Sequence, residues 1–127
     1  LKAGGPSYES FSSTSPCPNS NILEEIIFDY KKSLNFLQEK TIQNLKTYAA
    51  THDRKNDENF VDFILNISDN YETAVQGLYE DIKDQVNELY PDNLAEICNI
   101  QIQLDEIENT NYAAFYVIKD FVSRLIT

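Results

Sequence analysis

From Leu94 to Ile126 the chain runs 33 residues without a proline or a glycine. Apolar side chains recur there at Leu94, Ile97, Ile100, Leu104, Ile107, Ala114, Ile118, Phe121 and Leu125, with Asn111 the polar exception. Spacings of three and four put these residues on one side of an α-helix. Asp92 or Asn93, just after Pro91, is suited to cap its start. At ~1.5 Å per residue such a helix is about 50 Å long, too long for a compact globule.

Two further rods precede it. The first is expected to start near Ile22, where Asn21 and Glu24 have the spacing of a capping box. Leu23, Ile27, Tyr30, Leu34, Leu37, Thr41, Asn44 and Tyr48 then repeat every four and three residues, the seam of a coiled-coil-like helix. Phe28, Phe36 and Ile42 lie off that seam. Thr51 to Asp57 reads as a charged turn. The second rod follows, with Phe60, Ile64, Ile67, Tyr71, Ala74, Leu78, Ile82, Val86 and Leu89 on its apolar side, and Pro91 ends it. Ser68-Asp69-Asn70 and Gly77 are places where it could bend or divide, and Asn109-Thr110-Asn111 is a similar weak point in the third. Period-two strands are missing. The expected fold is therefore all-α: an elongated up-down-up bundle of three long helices, or four if the second or third is broken.

Residues 1–20 hold three prolines, two glycines and seven serines or threonines, and read as a flexible leader before a helical domain at 21–127. Tyr8 and Phe11 are its large apolar groups. The two cysteines are either free thiols or one disulfide. Cys17 sits in a polar, proline-flanked segment, an odd place for an inert buried thiol. Leu at position 1 fits a mature chain after signal removal. Both observations favour a bridge and secretion. In an up-down-up bundle helices one and three begin at the same end, which brings Cys17 and Cys98 together. Closing so long a loop would stabilise the fold by about 4 kcal/mol in the chain-entropy account.

The net charge of −11 and pI near 4.3 disfavour nucleic acid and anionic lipid. No apolar run approaches the ~20 residues of a membrane span, so no membrane insertion is expected. His52 is the one histidine. It has no Cys or Glu at metal-ligand spacing and leaves a serine or threonine nucleophile without a base. Carboxylate pairs such as Glu80 with Asp84 read as solvated helix surface, and no glycine-rich phosphate loop occurs. Catalytic, metal and cofactor sites are all expected to be absent, and the chain is not expected to be an enzyme.

Four features point to binding. Between Glu72 and Glu108 ten acidic residues accompany a single Lys83, which concentrates −9 of the −11 around the turn between helices two and three. Such a surface suits a basic partner. The run Tyr112 to Ile118 is apolar or aromatic around the whole helix, so either it is central or part of it faces a partner. Asp81, Asp84 and Glu88 are the candidate steering residues, with Phe115 and Tyr116 as candidate anchors. Phe28, Phe36 and Ile42 could pack under the leader, form a dimer or line a ligand groove. Asn66-Ile67-Ser68 is the one glycosylation sequon.

An acidic chain of this size, rich in Tyr, Asn and Ile, long-helical and tied once from its leader through Cys17 and Cys98, resembles small salivary proteins of blood-feeding insects. In format it is similar to the anopheline anophensin/albicin family over its whole length. The resemblance implies a secreted, non-enzymatic inhibitor of host defence. Its partner would be a host plasma protein or protease complex, either the convertase of the alternative complement pathway or contact activation. A monomer is expected. The competing expectation is a carrier of a small apolar ligand held between the helices.

Overall fold

The computed structural model describes residues 17–127, and every regular element among them is helical. Helix α1 spans Ser20–Thr51, α2 Phe60–Leu89, α3 Asn93–Ile97 and α4 Ile100–Ile126. The three long helices pack on one another pairwise, and the short α3 rests on α4. The leader proposed for residues 1–20, with Tyr8 and Phe11, lies up to residue 16 outside the described residues.

The third rod is not continuous. It breaks at Cys98-Asn99, where Asn99 takes the left-handed backbone conformation (φ 55°) before α4 begins. Asn tolerates this conformation better than most residues, so it is a natural place to turn the chain. The turn has a covalent purpose, since Cys98 is bonded to Cys17 with their Cα atoms 5.4 Å apart. The polar stretch Asn109-Thr110-Asn111 stays helical because Asn111 is buried and bonded. Helix α2 likewise runs unbroken through Ser68-Asp69-Asn70 and Gly77, where an added Cβ would meet open space.

The capping box expected at Asn21 is not used. Helix α1 starts at Ser20, and the preceding Asn19 is left-handed with no side-chain cap bond. Tertiary ties hold this end instead: the bridge, and the buried Tyr90, whose hydroxyl donates to the Pro18 carbonyl at 2.7 Å. At the other extreme the Arg54 guanidinium donates to the backbone carbonyl of Thr127.

The expected seams hold with local slips. In α1, Leu45 is fully buried where Asn44 was expected, and Asn44 is exposed. In α2, Val75 is buried in place of Ala74. A helix of 3.6 residues per turn drifts against a repeat of 3.5, and the larger apolar neighbour takes the inward position. In α4 the core comprises Ile100, Leu104, Ile107, Ala114, Ile118 and Val122, together with Phe115.

The middle of the bundle contains a polar layer. The Tyr30 hydroxyl donates to Asn111 Oδ1, joining α1 to α4. Tyr71 is equally buried, and its hydroxyl has no partner among the described residues. Burial pushes both phenols up to about 12.

These contacts generate two expectations. The bridge closes a separation of 81 residues, so reduction or Cys98→Ser should lower stability by about 4 kcal/mol; denaturant titration with and without reductant measures it. The two buried tyrosines should behave oppositely. Tyr30→Phe strands the Asn111 amide and should cost about 1–3 kcal/mol, whereas Tyr71→Phe removes an unpaired hydroxyl and should be neutral or stabilising. Equal losses in thermal melts would contradict that assignment.

Candidate functional site

The strongest surface feature is the end of the bundle closed by the bridge. The last turns of α2 carry Asp81, Asp84 and Glu88, α3 and the turn before it carry Asp92 and Glu96, and the first turns of α4 carry Asp105 and Glu106. All seven are exposed, because each falls off the apolar stripe of its helix. Lys83 pairs with Glu80 at 3.4 Å and lies over the Tyr79 ring on the side of α2 that meets Glu108, and Lys31 of α1 lines a hollow with Glu106. Among the described residues, no ion pair involves Asp81, Asp84, Glu88, Asp92, Glu96, Asp105 or Glu106.

Two apolar side chains stand among these acids. Ile97 is 54 % exposed and Ile102 58 % exposed. Ile97 was expected on the buried seam. The break at Cys98-Asn99 changes the helical phase, so the stripe of α4 does not extend back through α3. Ile102 falls outside the three-four spacing of α4, a sign already legible in the sequence. Both belong to the acidic segment around the Cys98 bridge and the α3–α4 junction, with the exposed Glu96, Asp105 and Glu106 close to them in sequence. Exposed apolar side chains beside carboxylates suit contact with apolar and cationic groups.

The sequence-derived candidates do not form one patch. Asp81 lines a hollow of about 280 Å³ between α1 and α2 with Ile26, Asp29, Tyr30 and Ser33. Phe115 is a core residue at 9 % exposure, edge-on to Tyr71 at 6.1 Å and tilted against Tyr112 at 6.2 Å. It is therefore unavailable as an anchor, because the inner side of the Tyr112–Ile118 run is absorbed by α2. Tyr116 is 72 % exposed and free of that packing. Phe115 marks its level on α2 as Tyr71, and Asp84 lies thirteen residues further along, about 20 Å at the helical rise. Only a partner with a broad contact could touch both Tyr116 and the acidic residues. Asn66 is exposed on α2, far from the acidic end.

Two other surfaces are apolar. Phe36 and Leu37 of α1 face Ala74 and Leu78 of α2 across an open groove of about 500 Å³. Phe28 and Phe36 are both more than 60 % exposed, each with a lysine one turn later, Lys32 and Lys40, 5.8 Å from its ring centre. Near the α1–α2 turn, Tyr48 is stacked between His52 at 3.9 Å and Phe63 at 4.2 Å, and its hydroxyl donates to Asp57 at 2.7 Å. Asp57 also accepts the Asn59 amide at 3.0 Å. The Tyr48 and Asn59 bonds hold the Asp57 carboxyl below its ordinary range, while the loss of hydration and the bonded carboxylate push Tyr48 up.

Among the described residues, no three His, Cys, Asp or Glu side chains are grouped to hold a metal ion, and no helix is long and apolar enough to cross a membrane. No protein-family model, curated protein or solved structure matches this chain.

The Asp57 bonds set a pH dependence. A carboxyl whose folded pKa is depressed adds stability above its unfolded pKa of about 3.9, and that stability is lost as pH falls through the lower folded value. Asp57→Asn should therefore be somewhat less stable than the parent at neutral pH and lose less on acidification below pH of about 4. Urea midpoints measured across that range would show parallel curves if the bonds carried no weight.

Proposed function

We propose that this chain is a secreted, non-enzymatic protein that binds and inhibits a host-defence protein complex through its acidic end. The observation that carries the proposal is the exposure of Ile97 and Ile102 in the segment around the bridge that also carries the exposed Glu96, Asp105 and Glu106. A basic patch on a plasma protein, with an apolar depression at its middle, complements that arrangement. Carboxylates at the rim speed encounter over distances of about the Debye length, roughly 8 Å in physiological salt, and the buried isoleucines supply residence time. The likeness to the anophensin/albicin format favours the alternative complement pathway or contact activation as the process blocked.

The reading takes the three long helices as an up-down-up bundle. Two sets of ties support it: Cys17 with Cys98 and Pro18 with Tyr90 at one end, and Arg54 with Thr127 at the other. It takes the chain as a monomer that passes an oxidising compartment, in keeping with the bridge. The carrier alternative draws support from the Phe36–Leu78 groove. That groove is open along its length, which suits a segment laid upon it more than an enclosed small ligand.

Passing plasma over immobilised protein tests the reading. A complement or contact-phase component should be retained and should elute as salt is raised, and the soluble protein should slow lysis or clotting. Ile97→Ser with Ile102→Ser should weaken retention at least about tenfold. Neutralising Asp84, Glu88, Asp92 and Glu96 together should chiefly slow association and flatten the salt dependence. Retention of nothing, with lysis and clotting unaffected, would sink the proposal.

A further inference from the structure

The hollow beside the α1–α2 turn leaves the Phe63 ring half exposed where it rests on Tyr48. Phe63 is 47 % exposed, and it lies flat on Tyr48 within a depression of about 460 Å³ whose edge is polar, with Asn44, Thr47 and Thr51. Asn66, the acceptor of the one sequon, lies one helical turn beyond Phe63 on α2. Its neighbours a turn away, Asp62, Phe63, Asp69 and Asn70, are all exposed, so a bulky substituent on the amide displaces nothing. The Asn66 side chain does not itself line the hollow, so a sugar carried on it would reach the hollow by folding back past Phe63, three residues earlier on the same helix.

We propose that Asn66 bears an N-linked glycan and that its first sugars cover the hollow formed by Tyr48, Phe63 and Ile67. Three independent features converge on the site. The residue order Asn-Ile-Ser is that of an acceptor. The Cys17–Cys98 bridge belongs to chains that pass the oxidising compartment where such transfer takes place. The half-exposed Phe63 ring beside the acceptor offers flat apolar surface to the C–H face of a sugar, while the threonines and Asn44 offer hydrogen bonds to its hydroxyls. Asn66 is held within α2, so transfer precedes the folding of that helix. This inference is independent of any partner at the acidic end. If it holds, the glycan closes the α1–α2 end to large partners.

The test is secretion of the full chain from insect or mammalian cells behind a cleavable signal peptide. The product should migrate slowly on gels and collapse to the polypeptide mass on treatment with peptide N-glycosidase. Asn66→Gln and, separately, Ser68→Ala should abolish the slow form, and Ser68→Thr should retain it. Ser68→Ala serves as the control should Asn66→Gln fail to be secreted. Secreted, oxidised protein at the bare polypeptide mass would overturn the assignment. Ring resonances of Tyr48 and Phe63 should differ between the glycosylated protein and Asn66→Gln. If they coincide, the sugars do not lie over the hollow.

Discussion

The covalent tie between Cys17 and Cys98 is the constraint from which much of this architecture follows. It fixes the segment before α1 against the junction of α3 and α4, and Tyr90 reinforces it through the Pro18 carbonyl. A straight helix from Leu94 to Ile126 would satisfy local propensity. Instead the chain turns at Asn99, in a backbone conformation that Asn accepts at small cost. The turn rotates Ile97 out of the apolar stripe and gathers acidic residues from three segments into one rigid end. The same bond thus ties the start of the first helix to the junction at which Ile97 is exposed.

Farther along, the bundle is specified by polar as well as apolar contacts. Tyr30 and Asn111 form a buried pair linking α1 to α4, and any axial slip between these helices would strand both groups in a medium without water. That penalty acts against alternative registers more than it adds to stability. At the α1–α2 turn the His52–Tyr48–Phe63 stack and the Asp57 bonds replace the side-chain cap that Asn59 does not provide. The two ends therefore differ in character, one closed by a disulfide and strongly acidic, the other closed by stacked rings.

The distribution of charge constrains the functional possibilities more than the fold does. Three helices packed lengthwise are compatible with many activities, and function is argued from the site. Here Asp84 lies about 20 Å along the rods from the level of Phe115, by the helical rise from Tyr71 to Asp84, while Asp105 and Glu106 of α4 lie about 10 Å from Tyr112. Phe115 contributes to the core, and the exposed aromatic surface falls to Tyr112 and Tyr116. Ile97 and Ile102 consequently replace the α4 aromatics as the apolar points nearest the charge.

The residues alone determined that the chain is helical, where its long helices lie, and that two cysteines could meet at one end. Apolar spacing encodes these because a helix displays its sequence on a fixed wheel, and burial favours whichever side carries Leu, Ile and Tyr. They also determined the acidic segment, since charge is additive and needs no coordinates. They left open which of two adjacent positions turns inward. Leu45 over Asn44 and Val75 over Ala74 depend on small phase drifts that only the neighbouring helices settle. Tertiary structure alone decided the break at Asn99, the exposure of Ile97 and the burial of Phe115. Each of these depends on a bond or a packed surface contributed by residues distant along the chain, to which local periodicity is blind.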